Sequence, residues 1–300
     1  MATNNADHDW FINLRVHAHG GGVGELTIID SKLNLYTVDQ LVSAIQGRDV
    51  LLMAHGYNVN RPNGIKSLNN FKSALAQPAP LFIGILWPGD CILPIFVDYV
   101  IEGGEANKSG DKLGAFVNQN FSGAGSISLA SHSLGARVVL RALLQLQDPM
   151  RVRELILMAG AIEDDCLTND FSAAADRVDH ISVVHSLKDD VLKLAYPPGN
   201  LLGFIVNHDS PNVKAALGRL GPLVSRPNIW PTPQLPNAWN YGHLDYLSDK
   251  GLAGVFAPPV NVDDPNAIDA SPEPLPAPLT TKNWKPSWSP AFTSTRLNRS

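Results

Sequence analysis

Cysteine is nearly absent: the 300 residues hold two, Cys91 and Cys166, far apart and without Cys-x-x-Cys spacing. That excludes a disulfide framework and fits two free thiols in a reduced, cytoplasmic setting. No run of Lys or Arg stands out and the net charge is −5, which argues against nucleic acid or an anionic membrane surface as the main partner. No apolar stretch approaches the ~20 residues that span a bilayer, so no membrane span is expected. The first ten residues, MATNNADHDW, carry neither a basic stretch nor an apolar core and do not read as a secretory signal. Hydrophobic residues make up 44% of the chain, enough for one large core.

What is present is alternation of short apolar runs with helical patterns. Residues 10–17 alternate apolar and polar side chains and read as a half-buried strand, and residues 25–30 as a second. Gly20 to Gly24 form a glycine-rich turn between them. Thr37 is placed to cap a short helix with Val38, Leu41, Val42 and Ile45 on one face and Gly47 as its stop. Residues 50–54, 81–86, 126–130, 154–160 and 180–184 are short and mostly apolar, as strands buried on both faces are. Between them, Ile65, Leu68, Phe71 and Leu75 keep helical spacing, as do Leu134, Val138, Ala142 and Leu146. The expected fold is therefore α/β, a mostly parallel sheet flanked by helices, with an antiparallel N-terminal hairpin. In such sheets ligands bind at the carboxyl ends of the strands. Residues 251–300 break the pattern. They are rich in Pro, Asp and Ser and read as a polyproline-like tail. Trp284, Trp288 and Phe292 are its apolar points, for docking on the domain or on a partner.

Residues 126–144, SISLASHSLGARVVLRALL, carry the chemistry. An apolar strand runs into Ser131-His132-Ser133-Leu134-Gly135 and a helix starts at once. A serine on so sharp a strand-to-helix turn projects its oxygen above the sheet edge, and the turn requires small residues two before and two after it. Gly135 meets this; Ser131 stands where glycine is usual and adds crowding. The N-terminus of the following helix favours developing negative charge.

SHSLGAR, preceded in the chain by His55-Gly56-Tyr57-Asn58, resembles the α/β-hydrolase superfamily, and more narrowly its bacterial esterase-like serine hydrolases with an HGYN loop and an SHSLG elbow. The resemblance covers roughly residues 48–248. It implies the α/β-hydrolase fold, serine-hydrolase chemistry, carboxylic ester substrates and no cofactor. The catalytic domain is expected over residues 1–250, with residues 194–225, where such enzymes often insert cap elements, as a candidate cap segment.

Two stretches hold a His-Gly pair suited to an oxyanion hole: HGGG at residues 19–22 and HGYN at residues 55–58. The oxyanion loop of this fold follows a central strand beside the nucleophile strand. HGYN follows such a run, so the amides of Tyr57 and Leu134 are the expected donors. HGGG lies between two alternating strands and is expected to turn a hairpin at the sheet's edge, imitating a lipase motif by composition only.

A serine needs a histidine to take its proton and a carboxylate to orient that histidine. The fold's chain order of serine, acid, histidine puts the base at His243, in NYGHLDYL. The resemblance of SLKDDVL to the family's acid loop selects Asp189, with Asp190 as the alternative and Asp164 and Asp165 behind both. Either aspartate also fits a helix-capping role. His55 and His132 are expected to hydrogen-bond locally. His17 and His19 share a strand face but lack further ligands nearby, so no metal is expected. Residues 87–100 read as an unusually apolar loop. With residues 194–206 they supply Phe96, Tyr99, Leu201 and Phe204 as candidates for an acyl or aryl pocket, unless these are ordinary core.

The expected activity is that of a serine esterase acting on a small-molecule ester through an acyl-enzyme. The same residues would serve an acyltransferase or amidase, and an inactive binding protein on the same fold is the reading from another class.

Overall fold

A computed structural model describes residues 8–75, 79–90, 95–194, 215–229, 235, 237 and 240–247. The Pro-rich tail and most of the cap segment, including Leu201 and Phe204, lie outside the described residues, as does Cys91.

The frame is one eight-stranded sheet built from β1 (Trp10–Arg15), β2 (Val23–Ile29), β3 (Leu35–Tyr36), β4 (Asp49–Ala54), β5 (Leu81–Leu86), β6 (Ser126–His132), β7 (Val152–Met158) and β8 (Val178–Val184), in the order β3-β2-β1-β5-β4-β6-β7-β8. From β1 through β5, β4, β6 and β7 to β8 every pairing is parallel, while β2 runs antiparallel to β1 and β3 antiparallel to β2. β4 therefore sits where the chain reverses its direction of travel across the sheet, with β5 on one side and β6 on the other. The loops leaving β4 and β6 meet at that switch point, where open α/β sheets bind ligands.

The apolar runs become strands because both faces are covered: β5 is buried at every position, and β4 at all but Asp49. β1 departs from expectation. Its alternation predicts a half-buried strand, yet all six residues are buried. It lies inside the sheet, between β2 and β5, and its polar side chains find partners within the protein, although Asn13 Oδ1 has none among the described residues. Asn13 Nδ2 donates to Thr27 Oγ1 (3.1 Å), and Arg15 meets Asp90. The edge is β3, only two residues long. At the opposite edge, Ile181 N–H donates to Asn228 O (2.8 Å) and Ile229 bridges Ile181 in parallel.

Helix α1 (Val38–Ile45) starts at a capping box, in which Gln40 N–H donates to Thr37 Oγ1 and Thr37 N–H to Gln40 Oε1. Its buried face is Leu41, Ala44 and Ile45, rotated from the expected one so that Val38 is exposed. Helix α2 (Arg61–Ala74) follows β4, with Leu68 and Phe71 buried as their spacing predicts.

The apolar stretch after β5 is corrected by the structure. From Ile95 it is not a loop but the start of α3 (Ile95–Asn120), so Phe96 and Tyr99 fall in helical turns whose side chains lie outside those described. Gly103, Gly104, Gly110 and Gly114 hide this helix, since each lowers helix propensity. Two of them instead serve packing against α4 (Gly135–Leu144). A Cβ at Gly110 would stand 2.6 Å from Val138 O, and one at Gly114 2.4 Å from Ala142 O. Arg141 on α4 pairs with Asp111 on α3 (2.7 Å). Three short α-helices, α5 (Ser172–Ala175), α6 (Asp190–Leu194) and α7 (Leu217–Leu220), and a 3-10 turn at Asp245–Leu247 complete the described chain. The described end of the segment expected to form a cap is bound to the body of the fold. Leu217 N–H donates to Ile162 O (2.8 Å) and Gly218 N–H to Gly160 O (2.9 Å).

Candidate active site

Ser133 occupies the single residue step between the end of β6 and the N-cap of α4, with φ +53. A left-handed backbone at a serine costs about 1–3 kcal/mol and persists only where surroundings impose it. Here Ser133 N–H donates to Met158 O (3.0 Å), while its carbonyl accepts from Ala136 (3.1 Å) and Ala161 (3.2 Å). The small flanks are demanded by space. A Cβ at Gly135 would lie 2.4 Å from His55 O, and Ser131 is fully buried with no partner for its hydroxyl among the described residues.

His243 lies in a turn after the last described strand. Gly242 N–H donates to Asp245 Oδ2 (2.8 Å), and His132 Nε2–H donates to His243 O (2.7 Å). The imidazole faces both ways: Nε2 is 2.8 Å from Ser133 Oγ and Nδ1 is 2.8 Å from Asp189 Oδ2. Asp189 is fully buried, and its other oxygen accepts from Leu192 N–H (2.9 Å) at the start of α6. The two oxygens of one carboxylate thus contact a helix start and an imidazole. Asp190, the alternative, is exposed. Asp164 is buried on the connection after β7, where its backbone bonds Ala215 and Leu223.

The loop after β4 rests on the elbow. A Cβ at Gly56 would stand 2.9 Å from Ser133 Cβ and 2.8 Å from His132 Nδ1, so only glycine allows this approach. Tyr57 follows it, half-buried against the core, and Leu134 is buried at the N-cap of α4. Asn58, at φ +56, turns the loop back and donates its N–H to Gly89 O (2.5 Å).

Two further histidines are held neutral by burial. His55 falls to about 4 and His132 to about 3, in both cases chiefly because the surroundings exclude water from the charged form. His55 Nδ1–H donates to Gly56 O (2.9 Å) and its ring stacks on Trp87, whose Nε1–H donates to His55 O (2.7 Å). Burial and nearby carboxylates raise the thiol of Cys166, a free cysteine. His17 and His19 are exposed at the β1–β2 turn.

The HGGG turn needs a correction of place. Because β1 is interior and parallel to β5, the turn leaves the same end of the sheet as the loops after β4 and β5. It is tied to them, with Gly20 N–H donating to Asp90 Oδ2 (2.9 Å) and Arg61 N–H to Ala18 O (3.0 Å). Sequence reasoning missed four residues that organise the site: Arg15, Asp90, Trp87 and Ser186. Ser186 Oγ–H donates to Tyr241 O (2.8 Å), joining the acid turn to the histidine turn. Arg15, one charge in an otherwise interior strand, was the visible signal among them.

A mostly parallel sheet with a serine on a strand–turn–helix step at its carboxyl edge defines the α/β-hydrolase class. Residues 34–225 match the family described as "Alpha/beta hydrolase of unknown function (DUF900)", and the chain belongs to it. No curated protein matches the sequence. Among solved structures it is similar to the ydeN gene product from B. subtilis at 18% identity, covering 52% of this chain and 81% of that one, with a TM-score of 0.30. It is also similar to esterase PE8 at 18% identity, over 66% of this chain and 86% of that one, TM-score 0.36. A structure described under the metagenome-derived lipolytic enzymes LipS and LipT shares 12% identity over 68% of this chain and 88% of its own, TM-score 0.32. Among the described residues no helix is long and apolar enough to cross a membrane.

Proposed function

We propose that the protein is a serine hydrolase of carboxylic esters, working through an acyl-enzyme. The observation that carries this reading is the unbroken relay Asp189–His243–Ser133, two 2.8 Å hydrogen bonds long, at the carboxyl edge of the sheet.

In this mechanism Ser133 Oγ attacks the ester carbonyl carbon while His243 Nε2 takes its proton. Asp189 keeps the Nδ1–H oriented and stabilises the imidazolium that forms. The oxyanion is held by the amides of Tyr57 and Leu134, the second sharpened by the N-terminal end of α4. The imidazolium then protonates the departing alkoxide. Water, deprotonated by His243, attacks the acyl-enzyme and releases the acid, restoring Ser133. These steps ask nothing of a metal or cofactor. We assign the catalytic unit to residues 1–250 and leave the Pro-rich tail outside it.

The test is hydrolysis of an activated short-chain ester, such as p-nitrophenyl butyrate, by the wild-type and Ser133→Ala proteins. Loss of Ser133 is expected to lower kcat by several powers of ten, on the order of 10⁴–10⁶. A fluorophosphonate probe is expected to label the wild type only. Retention of full turnover by Ser133→Ala ends this reading.

A further inference from the structure

Arg15 is the last residue of β1, and its side chain is completely buried. Its guanidinium reaches four acceptors on three loops. Nη1–H donates to Trp87 O (2.8 Å) and Val59 O (3.1 Å), Nε–H donates to His17 O (3.2 Å), and Nη2 pairs with Asp90 Oδ1. Asp90 in turn accepts Gly20 N–H through its second oxygen. One cation and one carboxylate therefore join the turns after β1, β4 and β5.

The β4 loop is the one that lays Gly56 against Ser133, with Tyr57 the next residue along it. Further holds come from the β5 loop: Trp87 Nε1–H on His55 O, and Gly89 O accepting from Asn58. Arg15 fixes both partners at once, since it binds Trp87 O and Val59 O with a single nitrogen. A buried ion pair is weak ground for a stability role, because packed apolar residues often replace one without loss. What apolar residues cannot reproduce is the fixed fan of guanidinium donors, each aimed at a backbone carbonyl.

We propose that Arg15 and Asp90 are positioning residues that hold the loop bearing the Tyr57 amide in register with Ser133, and so set how well the oxyanion is stabilised. This rests on the serine-hydrolase reading above. Loss of one oxyanion donor outright costs about 10²–10³ in kcat, so displacing a donor without removing it is expected to cost about 10–100-fold.

The experiment compares the wild type with Arg15→Met/Asp90→Leu and with Asp90→Asn, which keeps an acceptor for Gly20 N–H but loses the charge. Competent sites are counted by the end-point stoichiometry of fluorophosphonate labelling, and kcat and KM for p-nitrophenyl butyrate are expressed per labelled site. Affinity for an alkyl boronic acid, which forms a tetrahedral adduct on serine, is measured alongside. The expected result is a fall in kcat per labelled site of about 10–100-fold with KM changed by no more than about threefold, and a parallel loss of boronate affinity. An unchanged kcat per labelled site, with only the melting temperature moved, makes the pair merely structural and overturns the proposal. If the double variant does not fold, Asp90→Asn decides by the same readouts. Absence of Ser133-dependent labelling in the wild type removes the serine-hydrolase reading and this proposal together, an outcome distinct from a labelled wild type with undiminished variants.

Discussion

Asp189 divides its two oxygens between a helix start and an imidazole, and that division makes a clean substitution available. In Asp189→Asn the amide oxygen can keep the Leu192 N–H, so α6 retains its cap. The amide nitrogen then faces His243 Nδ1 and favours the tautomer with its proton on the wrong side. Turnover is expected to drop by about 10⁴, while the unfolding midpoint moves little. Asp190→Ala, at an exposed position, is expected to stay close to wild type in the same assay. Residues 133, 189 and 243, the proposed relay, could be named as candidates from the sequence because each sits in a short local signature: an elbow, a Ser-x-x-Asp turn and a Gly-His segment. Their mutual reach, across 110 and 54 positions of chain, could not. Nor could Ser186 or Trp87, whose work is to hold backbone carbonyls that belong to other loops.

Elements were legible where both faces are buried and obscure where glycine intervenes. The apolar runs of β4 to β8 announce themselves because helices cover both sides of the sheet. Helix α3 does not, because its glycines trade propensity for close approach to α4. The glycines on α3 are not equivalent, and the difference is measurable. At Gly104 an added Cβ meets nothing within 4 Å, so Gly104→Ala is expected to stabilise by about 0.5–1 kcal/mol through helix propensity. At Gly114 the same gain competes with an overlap on Ala142 O at 2.4 Å, a backbone atom that cannot swing aside. Overpacking of that kind costs about 1–3 kcal/mol, so Gly114→Ala is expected to destabilise. Denaturant midpoints of the two variants should therefore move in opposite directions. β1 misled in another way: alternation signals a half-buried strand only when one face is solvated, and here Asn13 and Arg15 point into protein.

For the molecule as a whole, buried titratable groups set the response to acid. His55 and His132 are neutral in the fold, at about 4 and about 3, against roughly 6.5 when unfolded. Below about pH 6.5 the unfolded chain takes up protons that the folded one refuses. Stability present at neutral pH is thus lost as pH falls toward 4 and then 3, by roughly a few kcal/mol per histidine. Glu154 works in the opposite sense. Loss of hydration raises it to about 7, so it penalises the fold above that pH and relaxes as pH falls toward its ordinary range. Partial access to water trims this effect, and two histidines outweigh one acid. Melting temperature is expected to decline from pH 7 to pH 4, and Glu154→Gln is expected to raise it at pH 8 and steepen the decline. A flat profile would mean that neither histidine is buried as described.

The blunt margins of the sheet bear on life at high concentration. A foreign chain seeking to extend the array by main-chain pairing meets, at one margin, a two-residue strand that occupies the Ile28–Ile29 end of β2. At the other it meets a strand engaged at Ile181, near its middle, by residues 228 and 229. Long open margins are what seed fibrils and domain-swapped clumps, and short or occupied ones starve that growth. Six parallel strands that fold slowly by nature are in this way shielded from one another's copies once folding is done.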